Sequence, residues 1–140
     1  MMILRQRWFA ALTASFLMVA GGMVAAAGPA WAQLPSPQEL RQQFTEADRN
    51  GDGKVDREEF HRRSVELFYS FDKDRKGYLV LVDIKGLTPE DFKAANRKGD
   101  GKLTLEEFLN ARFRHFDLAD TNGDGGLTLQ EIDVYTTRLR

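Results

Sequence analysis

From Leu40 onward, apolar positions recur at the spacing of helices. Leu40, Phe44 and Ala47 share one helical face, and Phe60, Ser64, Leu67, Phe68 and Phe71 return every three or four residues. Phe108, Leu109, Phe113 and Phe116 do the same, and Ile132, Tyr135 and Leu139 close the series. The first helix has a legible start. Ser36 is placed to cap it, Pro37 fits its first turn, and Glu39 stands three residues after the cap. Gly86 and Pro89 interrupt the series, and Thr88 can cap a fresh helix from Pro89. That interruption predicts a division of the chain into two halves. The phenylalanine stripe (Phe44, Phe60, Phe68, Phe71, Phe92, Phe108, Phe113 and Phe116) is expected to form core, although such side chains can also line a groove.

Between the apolar runs lie polar segments that repeat. Gly53, Gly77, Gly101 and Gly125 are each 24 residues apart. They close the segments Asp48-Arg49-Asn50-Gly51-Asp52, Asp72-Lys73-Asp74-Arg75-Lys76, Asn96-Arg97-Lys98-Gly99-Asp100 and Asp120-Thr121-Asn122-Gly123-Asp124. Two residues after each glycine comes an aliphatic: Val55, Leu79, Leu103 or Leu127. Six residues after it comes an acid: Glu59, Asp83, Glu107 or Glu131. The unit is a loop of 12 residues followed by about 12 of helical pattern.

This spacing suits a large, hard cation. Calcium takes six to eight oxygen ligands at ~2.3–2.6 Å, which a short loop supplies from alternating positions as it coils. Positions 1, 3 and 5 need oxygen side chains, position 6 a sharp bend, and position 7 only a backbone carbonyl. An aliphatic at position 8 seals the core, position 9 acts directly or through water, and a glutamate at position 12 reaches back with both oxygens. Loop one (48–59) meets every term with Asp48, Asn50, Asp52, the Lys54 carbonyl, Asp56 and Glu59. Loop four (120–131) does so with Asp120, Asn122, Asp124, the Gly126 carbonyl, Thr128 and Glu131. Single Asn-Gly or Asp-Gly turns would explain one such segment, but not two full matches in register.

The middle loops depart from the pattern. Loop three (96–107) keeps Asn96, Asp100, the Lys102 carbonyl and Glu107 as weaker candidates, but has Lys98 at position 3. An ammonium there offers no lone pair. Loop two (72–83) keeps Asp72 and Asp74 but has Lys76 at position 5, Val80 at position 9 and the shorter Asp83 at position 12. It is expected to be structural, with Leu79 holding a strand contact between loops.

These motifs resemble the EF-hand loop of the calmodulin-like superfamily, and the four-loop layout is similar to secreted EF-hand proteins of bacteria. The resemblance covers about residues 37–139. It implies an all-α domain, 37–140, of helix-loop-helix repeats with short strand pairing between loops. It also implies about two bound calcium ions, with a weak third at loop three left open. Only about one helix separates consecutive loops, roughly 18 Å if straight. Neighbouring loops would then lie at opposite ends of it. Loop one is expected to pair with loop three and loop two with loop four. The rival arrangement, one with two and three with four, is favoured by the break at Gly86.

Composition removes other classes. The chain has 20 lysines and arginines against 21 acids, a net charge of -1, which argues against a nucleic-acid partner. It has no cysteine, so disulfides and thiolate chemistry are excluded. His61 and His115 fall on the inter-loop helices in no hydrolytic arrangement and no nucleophile elbow occurs, so no enzyme activity is expected. Arg5 and Arg7, the uncharged run from Trp8 to Ala27 and Ala30-Trp31-Ala32 read as a signal peptide over residues 1–32, cut after Ala32. Residues 33–36 would form a short lead. An uncleaved anchor is the rival reading, since the run is long enough to span a bilayer. The expectation is a secreted or periplasmic calcium protein without membrane insertion after cleavage. Its role is buffer or calcium-stabilised module, the alternative being a sensor that docks a protein partner.

Overall fold

A computed structural model describes residues 36–84 and 87–138. The expected signal peptide, most of the lead that follows it, and Leu139 lie outside the described residues. Among the described residues, no helix is long and apolar enough to cross a membrane.

The elements in order are α1 (Pro37–Ala47), β1 (Val55–Asp56), α2 (Arg57–Phe71), β2 (Tyr78–Leu79), a 3-10 turn (Leu81–Asp83), α3 (Pro89–Ala95), β3 (Leu103–Thr104), α4 (Leu105–Ala119), β4 (Gly126–Leu127) and α5 (Leu129–Arg138). The fold is the expected all-α one, with strands only two residues long. Ser36 caps α1 as expected. Its hydroxyl accepts from the Glu39 N–H at 3.3 Å, and its own N–H donates to Glu39 Oε2 at 2.6 Å. Thr88 likewise caps α3, accepting from the Asp91 N–H at 3.2 Å. Each loop begins where a helix ends. Asp48, Asp72, Asn96 and Asp120 are C-caps whose N–H groups donate to the carbonyls of Phe44, Phe68, Phe92 and Phe116. The 24-residue repeat therefore includes a phenylalanine four residues before every loop.

The helical half of the repeat is less regular than the pattern predicts. α2 and α4 are 15 residues each, about 22 Å long, because the last three loop positions already lie in the helix. The last three positions of loop two form only a 3-10 turn, and α3 has 7 residues. Val80 has no side-chain oxygen with which to cap a full helix at that point.

Strand pairing corrects both expected arrangements. β1 pairs antiparallel with β4, setting Val55 opposite Leu127, and β2 pairs with β3, setting Leu79 opposite Leu103. Loop one therefore meets loop four, and loop two meets loop three. The long helices explain this. α2 carries loop one at its N-terminal end and loop two at its C-terminal end, while α4 carries loops three and four in the same sense. The two helices pack against each other in opposite directions, so the outer loops meet at one end and the inner loops at the other. An intact loop is therefore paired with an intact one, and a damaged loop with a damaged one.

Two apolar clusters follow from this nesting. One joins Ala47, Val55, Phe60, Phe116, Ala119, Leu127 and Tyr135, with Phe44, Phe113 and Ile132 packed on it. The other joins Phe68, Leu79, Ile84, Leu87, Phe92, Leu103, Phe108 and neighbouring alanines, with Phe71 packed on it. Gly86 lies outside the described residues, but Ile84 before it and Leu87 after it share one cluster. Residues on both sides of the break therefore belong to the inner lobe, and the chain is not divided there into successive halves. The phenylalanine stripe is core, as expected.

Between the lobes sits Arg112, almost fully buried. Its Nε donates to Ser64 Oγ at 2.8 Å, and its guanidinium lies over the rings of Phe60 (5.0 Å) and Phe108 (5.8 Å), one from each cluster. Burial, helped by the charge of Arg63, lowers its pKa to about 10, so it stays charged at neutral pH.

Candidate metal centre

Loops one and four are built alike. In loop one, Asp48 Oδ1 accepts from the N–H groups of Gly51 (2.8 Å) and Asp52 (3.1 Å), and Oδ2 from Gly53 (2.9 Å). Asn50 Oδ1 accepts from Asp52 (2.8 Å), and Asp52 Oδ1 from Lys54 (2.9 Å). In loop four, Asp120 Oδ1 takes Gly123 (2.8 Å) and Asp124 (3.2 Å), and Oδ2 takes Gly125 (2.9 Å). Asn122 and Asp124 accept from Asp124 (2.8 Å) and Gly126 (3.0 Å). The backbone is wound around the side chains of positions 1, 3 and 5. The turn needs positive φ at position 6, 85° at Gly53 and 82° at Gly125, which only glycine adopts without strain.

The position-12 glutamates close the coil. Glu59 Oε1 accepts from the N–H groups of Arg49 (2.8 Å) and Asn50 (3.1 Å), and Oε2 from Asp56 (3.1 Å). Glu131 does the same for Thr121, Asn122 and Thr128 at 3.1, 3.4 and 3.0 Å. Burial tends to raise the Glu131 carboxyl, but the hydrogen bonds from Thr128, Thr121 and Asn122 outweigh it and hold the group below its ordinary range. Sequence reading assigned position 9 to the metal, directly or through water. In the structure, Asp56 and Thr128 also start the exit helices. Asp56 Oδ1 accepts from the Glu59 N–H at 2.8 Å, and Thr128 Oγ1 from the Glu131 N–H at 3.2 Å. Positions 9 and 12 are three apart, so they form a capping box, and that spacing was visible in the sequence.

The lysines at ligand positions of loops two and three, Lys76 and Lys98, act differently. In loop two, Lys76 Nζ sits 3.0 Å from Asp83 Oδ2 and 3.9 Å from Asp74 Oδ2. A fixed ammonium therefore occupies the carboxylate an ion would need, while Asp72 accepts from the N–H groups of Lys76 (2.8 Å) and Gly77 (2.7 Å). Arg75 at position 4 takes a φ of 53°, where the other three loops use glycine. Loop three differs in one respect. Asn96 is buried, and its Oδ1 accepts no hydrogen bond, although Glu107 and Asp100 hold their loop N–H groups. Lys98 adds only a through-space effect, lowering Glu107 alongside the hydrogen bonds from Thr104 and Lys98 N–H that outweigh its burial.

Asp83 supplies a pH prediction. The Val80 N–H and then Lys76 hold its carboxyl below the ordinary value, despite some desolvation. A group depressed in the folded state stabilises above its unfolded pKa, about 3.9, and loses that contribution as pH falls through the folded value. Lys76→Met should shorten that window. Acid unfolding without calcium, followed by circular dichroism, should begin at higher pH than in the parent. An unchanged acid limb would show that the ammonium adds nothing at loop two.

Each intact loop offers only oxygen donors: carboxylates, an asparagine amide and a backbone carbonyl. That set fits calcium or magnesium and not zinc or copper. Among the described residues, no three acidic or imidazole side chains converge into a ready cage. His115 Nδ1 lies 3.0 Å from Tyr135 Oη, and burial, reinforced by Arg112 and Arg114, lowers its pKa to about 4, so the ring is neutral at pH 7. His61 stacks on Phe113 with centroids 6.3 Å apart.

Comparison with known families agrees with the geometry. The family model described as EF hand matches residues 37–62 and 113–133, which hold the whole of loops one and four. The one described as EF-hand domain pair matches residues 92–115, across loop three. No curated protein matches the chain. The helix-loop-helix fold and these matches make calcium the ligand that the loops imply.

Proposed function

We propose that this EF-hand chain is an exported protein, similar to secreted bacterial ones, that holds calcium in loops one and four as a pair. Its role is to buffer calcium or to be stabilised by it, and it is a binding protein rather than an enzyme. The observation that carries the reading is the β1–β4 pairing, which sets the two loops with complete oxygen sets side by side. The ligands would be Asp48, Asn50, Asp52, the Lys54 carbonyl, Asp56 and Glu59, with Asp120, Asn122, Asp124, the Gly126 carbonyl, Thr128 and Glu131. Bound calcium neutralises clustered carboxylates and couples binding to folding. The inner lobe supplies a scaffold that needs no ion at loop two, since Lys76 already provides the positive charge. Loop three would be a weaker third site, supported by the buried, unbonded oxygen of Asn96. Export rests on the basic and apolar segment and on Ala30-Trp31-Ala32.

A sensor role is the second reading. It draws on Leu118 and Val134, exposed apolar side chains on the two helices flanking loop four. Fluorescence of a dye for apolar surface, read with calcium and with chelator, separates the two. The buffer reading predicts no rise on calcium addition, together with a higher melting temperature. A strong calcium-dependent rise would replace it with the sensor.

A further inference from the structure

Position 7 gives a metal only its carbonyl, so its side chain is free for other uses. Loop one has Lys54 there and loop four has Gly126, and the β1–β4 register brings them together, Asp56 lying opposite Gly126. Gly126 is not among the glycines at positive φ, so its backbone does not require glycine. What favours it is space. A Cβ at Gly126 would lie 3.2 Å from Lys54 Cδ and 3.3 Å from Lys54 Cβ, so the lysine stem runs across the bare glycine. Beyond it, Lys54 Nζ reaches Asp124 Oδ2 at 2.5 Å. Asp124 is position 5 of loop four. In loop one the matching oxygen, Asp52 Oδ2, takes only the neutral amide of Asn50, at 3.1 Å.

We propose that Lys54 is a tethered competitor of calcium in loop four: it crosses from loop one over Gly126 and holds Asp124, so that loop four binds more weakly than its ligands alone allow and fills after loop one. This rests on the reading that both loops bind calcium. The ammonium adds a fixed positive charge beside an incoming dication and engages one of the three carboxylates the loop offers. The pair is partly exposed, with side chains 45% and 34% accessible, so solvent screens it and the effect is moderate. The order also follows from ligand charge. Loop one has four carboxylates, Asp48, Asp52, Asp56 and Glu59, while loop four has three, one of them shared with Lys54.

Lys54→Met tests this, because it keeps an apolar stem over Gly126 and the backbone carbonyl while removing the ammonium. Calcium titration by calorimetry in a Glu59→Gln background reports loop four, and in a Glu131→Gln background loop one. At low salt, Lys54→Met should tighten loop four by about two- to fivefold, more than it tightens loop one. High salt should shrink the gain. Without calcium, the same substitution should lower the melting temperature by about 1–5 °C, since the link between the outer loops is lost. Unchanged loop-four affinity would overturn the competitor, whatever the calcium-free melt, while leaving calcium binding intact. If the parent protein shows no calcium binding at all, the functional reading itself fails.

Discussion

Glu59→Gln and Glu131→Gln should each remove one calcium site, lowering its affinity by roughly 100-fold, on the order of 2.8 kcal/mol. The glutamate closes its loop from both sides. Glu59 Oε1 holds the N–H groups of Arg49 and Asn50, and Oε2 holds that of Asp56. Glutamine has one acceptor oxygen, so its amide N–H₂ must face at least one of those donors. The substitution therefore removes a negative charge from the site and leaves a loop N–H without its partner. It should also cost about 1 kcal/mol of stability in the absence of metal. The partner site should weaken as well, because Val55 and Asp56 pair with Leu127 and Gly126. Calorimetric titration of each variant checks this. Two sites of parent affinity in both variants would show that position 12 is not a ligand in either loop.

Phe116→Ala should lower stability by about 3–5 kcal/mol, a large share of the 5–15 kcal/mol typical of a domain. Phe116 is completely buried. Its ring meets Phe60 edge-on at 4.9 Å and Phe113 at 6.0 Å, and its carbonyl receives the N–H of Asp120, the first residue of loop four. The cavity would open directly beneath the paired loops. Calcium offsets part of the loss by mass action, about 2.7 kcal/mol per site at 100 times the dissociation constant. Urea unfolding with and without calcium measures both quantities. A loss under about 1 kcal/mol would mean the outer lobe repacks freely around the missing ring.

Much of this architecture was legible in the sequence. The 24-residue register of glycines, aliphatics and acids located all four loops, and the phenylalanine spacing located the helices. Lys76 and Asp83 marked loop two as a departure from the ligand pattern, expected to be structural, and the structure shows the two bonded to each other. Loop pairing was not legible. Spacing alone correctly kept neighbouring loops apart along one helix for loops one and two and for three and four. It carried no information on the direction in which α2 and α4 meet, which makes the inner and outer loops pair. Nor did spacing reveal Arg112, whose polar partner, Ser64, lies 48 residues away. The contact of Lys54 with Asp124 spans 70 residues and depends wholly on the strand pairing.

The central claim, that loops one and four together hold calcium, is tested most directly by calorimetric titration of the parent protein with calcium in excess magnesium. The prediction is two calcium sites that survive magnesium, a weaker third at most, and a melting temperature that rises as they fill. An absence of both calcium heat and calcium-dependent stabilisation would contradict the account and leave a helical scaffold with loops that hold no ion.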